Sequence, residues 1–440
     1  MALKLRRSLT LFEATFYGIG IILGAGIYAL IGEAAGSAGN ALWISFLLGA
    51  AVAALTGLSY AELSAMYPKA AAEYIYVKKA YASKFLGFMI SWLIIFTGVL
   101  SAATVALGFS GYFNKIIFPE AHVSTALLIV VAIILIVVLS FVNFFGIKES
   151  SKMNIVFTII EMSGLILIIF LALASGSYGR VNYFEAPQGF GGIIAASILV
   201  FFAYIGFEDI VNIAEETKSP KKFIPRAIIW AIIITTALYI LVSIATVSLA
   251  DWNTLGDVSN PLALAASNSF LGNNAGFVLS LIALFATTNT VLIILVVTSR
   301  MIYGIARDGA LPSILSKIHP KRKTPWIAAI AVGILSIAFL FLGKIETIAS
   351  ITSLGAFISF GTVNLALIWL RYTKPKLKRP FKVPLNIGKF PVLSFLGAIF
   401  CVFMIYQFSF NEMAVGLIIL VVGASIYYFR KNKIIQLEGF

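Results

Sequence analysis

Among its 440 residues the chain has one cysteine and two histidines, so the usual redox and metal-binding side chains are nearly missing. Cys401 has no second cysteine to pair with, which rules out an intramolecular disulfide and leaves the redox compartment unreadable. His122 and His319 stand far apart in different loops, and a metal centre needs several such ligands converging. No metal and no organic cofactor is expected. Charge is scarce too: 11% of residues are Asp, Glu, Lys or Arg, against 60% hydrophobic, far from the balance of a soluble domain. No apolar run holds a Ser, His and Asp set, which counts against a membrane enzyme. The thirteen prolines all fall in loops or at the ends of apolar runs. Any helix interruption within a bilayer must therefore come from glycine.

What the chain has in abundance is long apolar runs. Twelve can cross about 30 Å of hydrocarbon, at 12–36, 41–66, 86–113, 123–145, 154–174, 190–213, 226–250, 275–302, 326–343, 347–370, 391–409 and 412–430. The first is too long for the core of a signal peptide and is expected to remain as a span. The fold expected is an all-α polytopic membrane protein with no extramembrane domain. A net charge of +14 would suit nucleic acid, but the placement of the charges points to the lipid bilayer instead. With both termini cytoplasmic, every Lys and Arg except Lys115, Arg180 and Lys344 lies on the inner side, which is the positive-inside rule applied loop by loop. Eleven or thirteen spans would scramble that asymmetry. Nothing in the sequence sets an oligomeric state.

The first span reads GIGIILGAGIYALIGEAAG over 18–36. Each glycine costs about 1 kcal/mol of helix propensity relative to alanine. Close helix packing would account for Gly20 with Gly24 and for Gly32 with Gly36. The alternative is a discontinuous helix, whose freed amides and carbonyls bind a ligand halfway across the membrane. Candidate breaks are Gly24-Ala25-Gly26 in span one and Gly206 in span six, LVFFAYIGFEDIVNIAEETKSP.

Acids inside spans are the next signal, because an ionisable group in lipid is costly and marks function by default. Glu13 and Glu62 sit near span ends, where an interfacial charge suffices. Glu161 lies within span five, and Glu208 and Asp209 directly follow Gly206. Desolvation favours the neutral form of a carboxylic acid, so such groups suit proton uptake and release; the competing reading is a packing role within the bundle. Span eight adds Thr287, Thr288 and Asn289, and span ten adds Thr352, Ser353 and Ser359. Such residues also hold membrane helices together.

Four stretches, GAGIYALIG (24–32), FFAYIGFEDIVNIAEETKSPKKFIPRAI (201–228), SRMIYGIARDGALP (299–312) and RPFKVPL (379–385), make the chain resemble the amino acid, polyamine and organocation (APC) transporter superfamily. With the span count, the resemblance covers nearly the whole chain. It implies a five-plus-five inverted repeat with spans one and six discontinuous: a first repeat at 12–174, a second at 190–370, two peripheral spans at 391–430, and cytoplasmic ends at 1–11 and 431–440. It also implies a zwitterion site between the breaks. The amides of Ala25, Gly26 and Ile27 would face the carboxylate, and carbonyls near Ile21, Ile22 and Ile205 the ammonium, with Gly24 and Gly206 allowing close approach. Phe202 matches an aromatic gate position, Glu208 an acidic position beside the break, and Ser353 and the stretch Trp92–Thr97 are candidates for the wall.

Span five departs from the pattern. Proton-coupled members often carry a lysine where this chain has Glu161, and sodium-coupled members hold the ion there with span-eight hydroxyls. Glu161, Glu208, Thr287 and Thr288 are therefore the ion-coupling candidates, with H+ as the coupling ion and Na+ at Glu161 and Thr288 as the alternative. The function expected is alternating-access, proton-coupled uptake of neutral or broadly selected amino acids across the plasma membrane. A cationic amino acid or polyamine carrier, an amino acid exchanger and a non-transporting sensor are the other readings. Arg307 and Asp308 are expected to pair, and the EETKSPKK and ARDGALP stretches to serve as connectors.

Overall fold

The computed structural model describes residues 5, 7–117, 124–256, 258, 260–341 and 345–438, without the side chains of 29, 115, 180, 345–350 and 430–438. His122 and Lys344, and the side chains of Lys115 and Arg180, thus lie outside the described residues.

The described chain is almost all helix, and ten helical stretches are long and apolar enough to cross a membrane. Two shorter apolar helices, Trp326–Phe339 and Val392–Tyr406, occupy the places of expected spans nine and eleven. The only strands among the described residues are the two-residue pair Asn386–Ile387 and Phe390–Pro391.

Span one (Leu11–Ala38) begins at a reciprocal cap, with the Thr10 hydroxyl accepting the Glu13 amide and the Glu13 carboxylate accepting the Thr10 amide. Such a box satisfies donors that the first helical turn leaves open. Glu13, read as a charge facing headgroups, is thus a capping residue. Span two (Leu42–Met66) packs along span seven (Pro220–Leu249), and span three (Lys84–Ile117) along span eight (Asn273–Arg307). Span one touches spans five (Ile147–Ala174), six, seven and eight. Span eight is the central post, 78% buried along its apolar window, whereas span four (Thr125–Phe145) is 22% and span twelve (Phe410–Glu438) 17% buried. On span four the outward residues Val130, Ile134, Val137 and Phe141 are apolar and exposed, while Leu135, Ile136, Leu139 and Asn143 face the bundle. Hydrocarbon is the environment such an outer face fits.

Both expected breaks are present. Gly24 leaves helical geometry within span one (φ −5°, ψ −160°). Span six stops at Phe201, passes through a tight turn at Phe202–Tyr204, runs extended at Ile205, and resumes after Gly206 (φ 124°) as the tighter helix Phe207–Glu216. That φ is one that side chains rarely tolerate.

The face that carries the N-terminal segment is cross-linked by ion pairs. Glu62, expected at an interface, is fully buried and takes Arg371, Arg379 and the Val383 amide. Arg300 is buried against Glu216 at 3.1 Å. Arg307 and Asp308 do not pair with each other: Arg307 binds Glu215, and Asp308 takes Lys78 and the Tyr74 hydroxyl. The end of span eight points them to opposite neighbours, the close of span six and the short helix Ala72–Tyr81. Lys78 and the Tyr74 hydroxyl hold the Asp308 carboxyl below the usual carboxylate range, even though its partial burial pushes the other way. The EETK stretch is more than a connector, because Glu215 and Glu216 supply two of these pairs and Thr217 bridges to Leu9.

Candidate functional site

The two breaks lie against each other. A Cβ placed on Gly26 would come 2.8 Å from the Cα of Ala203, and one on Gly206 would come 2.9 Å from Ile21 Cγ1. Only glycine permits that approach. Around the contact lies a cavity of about 100 Å³. Its wall includes Ile22, Gly24, Ala25 and Gly26 of span one and Phe202, Ile205, Gly206, Glu208 and Asp209 of span six. One helical face of each of three other spans completes it: Ile94, Thr97, Gly98, Ser101 and Val105; Thr290, Ile294, Val297, Thr298 and Met301; and Thr352, Ala356 and Phe360 of span ten (Ile345–Thr373). These recur at steps of three, four and seven, as one helical face requires.

The remaining candidates fall elsewhere. Ile27 is fully buried behind the wall, and Ser353 is outside the lining although its neighbour Thr352 is within it. Thr97 belongs to the wall, but Trp92 does not: its Nε1–H donates to the Ile419 carbonyl at 2.9 Å. Thr287 and Thr288 turn their hydroxyls back onto their own helix, toward Ala283 and Leu284. Glu161 is fully buried, both its carboxylate oxygens lack hydrogen-bond partners among the described residues, and it does not reach the cavity. The Tyr28 hydroxyl donates to its backbone carbonyl at 3.1 Å.

Several groups freed by the breaks already have partners. The Tyr239 hydroxyl of span seven shares its one proton between the carbonyls of Ile22 and, at 3.0 Å, Ala203. The Thr290 hydroxyl accepts the Ala25 amide at 3.2 Å, and Glu208 accepts the Gly206 amide at 2.8 Å. This is how a membrane protein tolerates open backbone at mid-depth. Beside the break, Asn154 and Thr158 of span five and Asn289 of span eight form a closed set of hydrogen bonds at 3.1–3.3 Å. Gly20 makes room for it, since a Cβ there would come 2.2 Å from the Thr158 hydroxyl. Tyr239, Asn154 and Thr158 had no sequence signal beyond being polar residues in apolar runs. Thr290 did have one, as the fourth member of the Thr-Thr-Asn-Thr run and the start of the lining face.

A model of the amino acid permease family matches residues 9–431. The chain belongs to that family. Its members are transporters and not enzymes, and the all-helical bundle described above agrees with that membership. Among curated relatives, the permease is 32% identical to the branched-chain amino acid permease BcaP of Bacillus subtilis, over 98% of this chain and 94% of that protein. It is 30% identical to the methylthioribose transporter of the same organism, with the same coverage. It is also 31% identical to the vacuolar cationic amino acid transporter 4 of Arabidopsis thaliana, over 84% of this chain and 64% of that protein.

Proposed function

We propose that the permease takes up neutral amino acids by alternating access, driven by a proton gradient, across a plasma membrane whose cytoplasmic side is the N-terminal face. The observation that carries the reading is the meeting of two broken helices at one cavity, with backbone groups of both in its wall. Helix ends of this kind give a zwitterion what it needs, donors for a carboxylate and acceptors for an ammonium. Ile94, Ile205, Ile294, Val297, Phe202 and Phe360 surround them with apolar surface, which suits an uncharged side chain. The similarity to a branched-chain amino acid permease agrees with this choice. Proton coupling rests on Glu161 and Glu208, buried acids of spans five and six with no cation paired to them among the described residues. The Lys and Arg distribution supports the orientation.

A second reading has its own observation: Glu208 and Asp209 stand in the wall, where a cationic side chain would find carboxylates. Against it, Glu208 is engaged with the Gly206 amide.

Uptake of a labelled amino acid panel into proteoliposomes, with proton and sodium gradients imposed separately, tests both. Accumulation of leucine-like substrates under a proton gradient alone is expected. Accumulation driven only by sodium overturns the coupling, and preference for lysine or arginine overturns the substrate class.

A further inference from the structure

Beneath the cavity, toward the N-terminal face, lies a buried acid that the transport cycle outlined above does not use. Glu73 sits in the first turn of the short helix Ala72–Tyr81 between spans two and three. That helix start is tied to span six: the Ala70 amide donates to Glu215 at 3.2 Å, and the Ala72 amide to Asn212 Oδ1 at 3.0 Å. Glu73 is thereby held fully inside the protein, touched by Asn212 Nδ2 at 3.5 Å on one carboxylate oxygen and, among the described residues, by no hydrogen-bond partner on the other.

Two further groups open onto the same place. Tyr60 of span two and Tyr76 are fully buried, and neither hydroxyl has a hydrogen-bond partner among the described residues. The Tyr60 ring meets Tyr76, Phe207 and Phe360 edge-on at 5.9–6.2 Å, and Phe360 belongs to the cavity wall. Phe207 directly precedes Glu208 in span six, and Tyr76 shares the short helix with Glu73. Tyr60 therefore connects the acids of the wall with the acid below them.

The cations that form ion pairs at this face are bound to other acids. Arg300 is held by Glu216, Arg307 by Glu215, Arg371 and Arg379 by Glu62, and Lys78 by Asp308, which Lys84 also faces. The ionisable groups facing Glu73 are thus Tyr60 from span two, Glu208 and Asp209 from span six, and Tyr76 on its own helix. Spans three and ten, which also pack on that helix, bring Lys84 and Arg371, both directed to other acids. A buried carboxylate with no cation is strongly disfavoured. A neutral acid fits the site.

We propose that Glu73 is a proton-binding site, the inner station of a path that runs from Glu208 through the Tyr60 hydroxyl to the cytoplasmic side. The inference rests on the proton-coupled reading above. In the transfer, the Glu208 carboxyl O–H bond breaks as its proton moves to the Tyr60 oxygen. The Tyr60 proton passes in turn to the Glu73 carboxylate. Charge moves from one acid to the other, and no further reactant enters. Burial, with the Glu208 charge adding to it, pushes the Glu73 carboxyl up to about 8 despite its own backbone amide and Asn212, so the group can exchange protons near neutral pH.

The test uses the full-length permease in proteoliposomes, with labelled leucine and an internal pH dye. Glu73→Gln is expected to lower proton-driven accumulation at least tenfold while leucine counterflow persists, and Glu73→Asp to keep accumulation with a shifted pH profile. Tyr60→Phe, which retains the ring contacts, is expected to slow proton entry and spare counterflow. Wild-type accumulation in Glu73→Gln, or unchanged proton entry in Tyr60→Phe, overturns the path. Infrared difference spectra of the purified protein provide a readout independent of transport. A carboxylic-acid band lost as pH rises through about 8 in the wild type, and missing from Glu73→Gln, supports the site; its absence from the wild type overturns it. Should the wild type itself ignore a proton gradient, the proton-coupled reading falls, while the infrared band still decides whether Glu73 takes up a proton.

Discussion

The Thr290 hydroxyl accepts the Ala25 amide at 3.2 Å while donating to the Ala286 carbonyl at 3.0 Å. Span eight, the most buried helix, thus grips span one at the first amide after its break. Thr290→Val keeps the shape and removes the acceptor, and a buried donor left unpaired costs about 1–3 kcal/mol. Substrate KM in proteoliposomes is expected to rise about tenfold, the equivalent of about 1.4 kcal/mol. Thr290→Ser should restore most of it.

Gly26 and Gly206 are expected to tolerate no side chain. An alanine at 26 would have to displace the Ala203 backbone, and one at 206 would meet Ile21 at a φ of 124°, a left-handed conformation costing about 1–2 kcal/mol. Uptake should fall by more than tenfold in both variants with membrane insertion unchanged. Gly108, where a Cβ would meet nothing within 4 Å, is the control, and its alanine variant should transport normally.

Tyr239 caps carbonyls from both breaks at once. Tyr239→Phe keeps the ring beside Phe46 and Tyr204 but removes the proton that the two carbonyls share. A loss of about 2 kcal/mol is expected, read as a lower Tm of the purified protein together with slower uptake.

Removing one partner of the buried Arg300–Glu216 pair leaves an uncompensated charge, at roughly 3–5 kcal/mol. Arg300→Met should be strongly destabilised in thermal unfolding, and the double variant Arg300→Met with Glu216→Leu should recover much of the loss. Asn143, which also takes the arginine, would then lose a donor, so recovery should stop short of wild type.

Glu73 makes stability depend on pH. Its carboxyl titrates near the ordinary value of 4.5 when unfolded and at about 8 when buried, so between those values the folded chain binds more protons than the unfolded one. Stability is then greatest below the lower value and declines as pH rises to the upper one. Tm should fall across that window, and Glu73→Gln should remove this part of the slope.

The sequence alone was enough to show a bundle of apolar helices, because membrane spans announce themselves by length and composition, and to place both interruptions. Gly24 and Gly206 were legible because the prolines fall in loops or close to span ends, Pro225 in the second turn of span seven included, and glycine was the remaining way to open a helix in lipid. The wall residues near the breaks followed from that. Partners across the bundle did not: Thr290 on Ala25, Tyr239 on Ile22, Arg300 on Glu216 and Arg307 on Glu215 join residues tens to hundreds of positions apart. Adjacency in the chain suggested pairing Arg307 with Asp308, yet neighbours on a helix point in different directions. Helix spacing also left Glu161 and Glu208 alike as buried acids, and only the packing of the spans put one in the cavity wall and the other behind it. Composition and periodicity act along one helix, whereas the site is made where several meet.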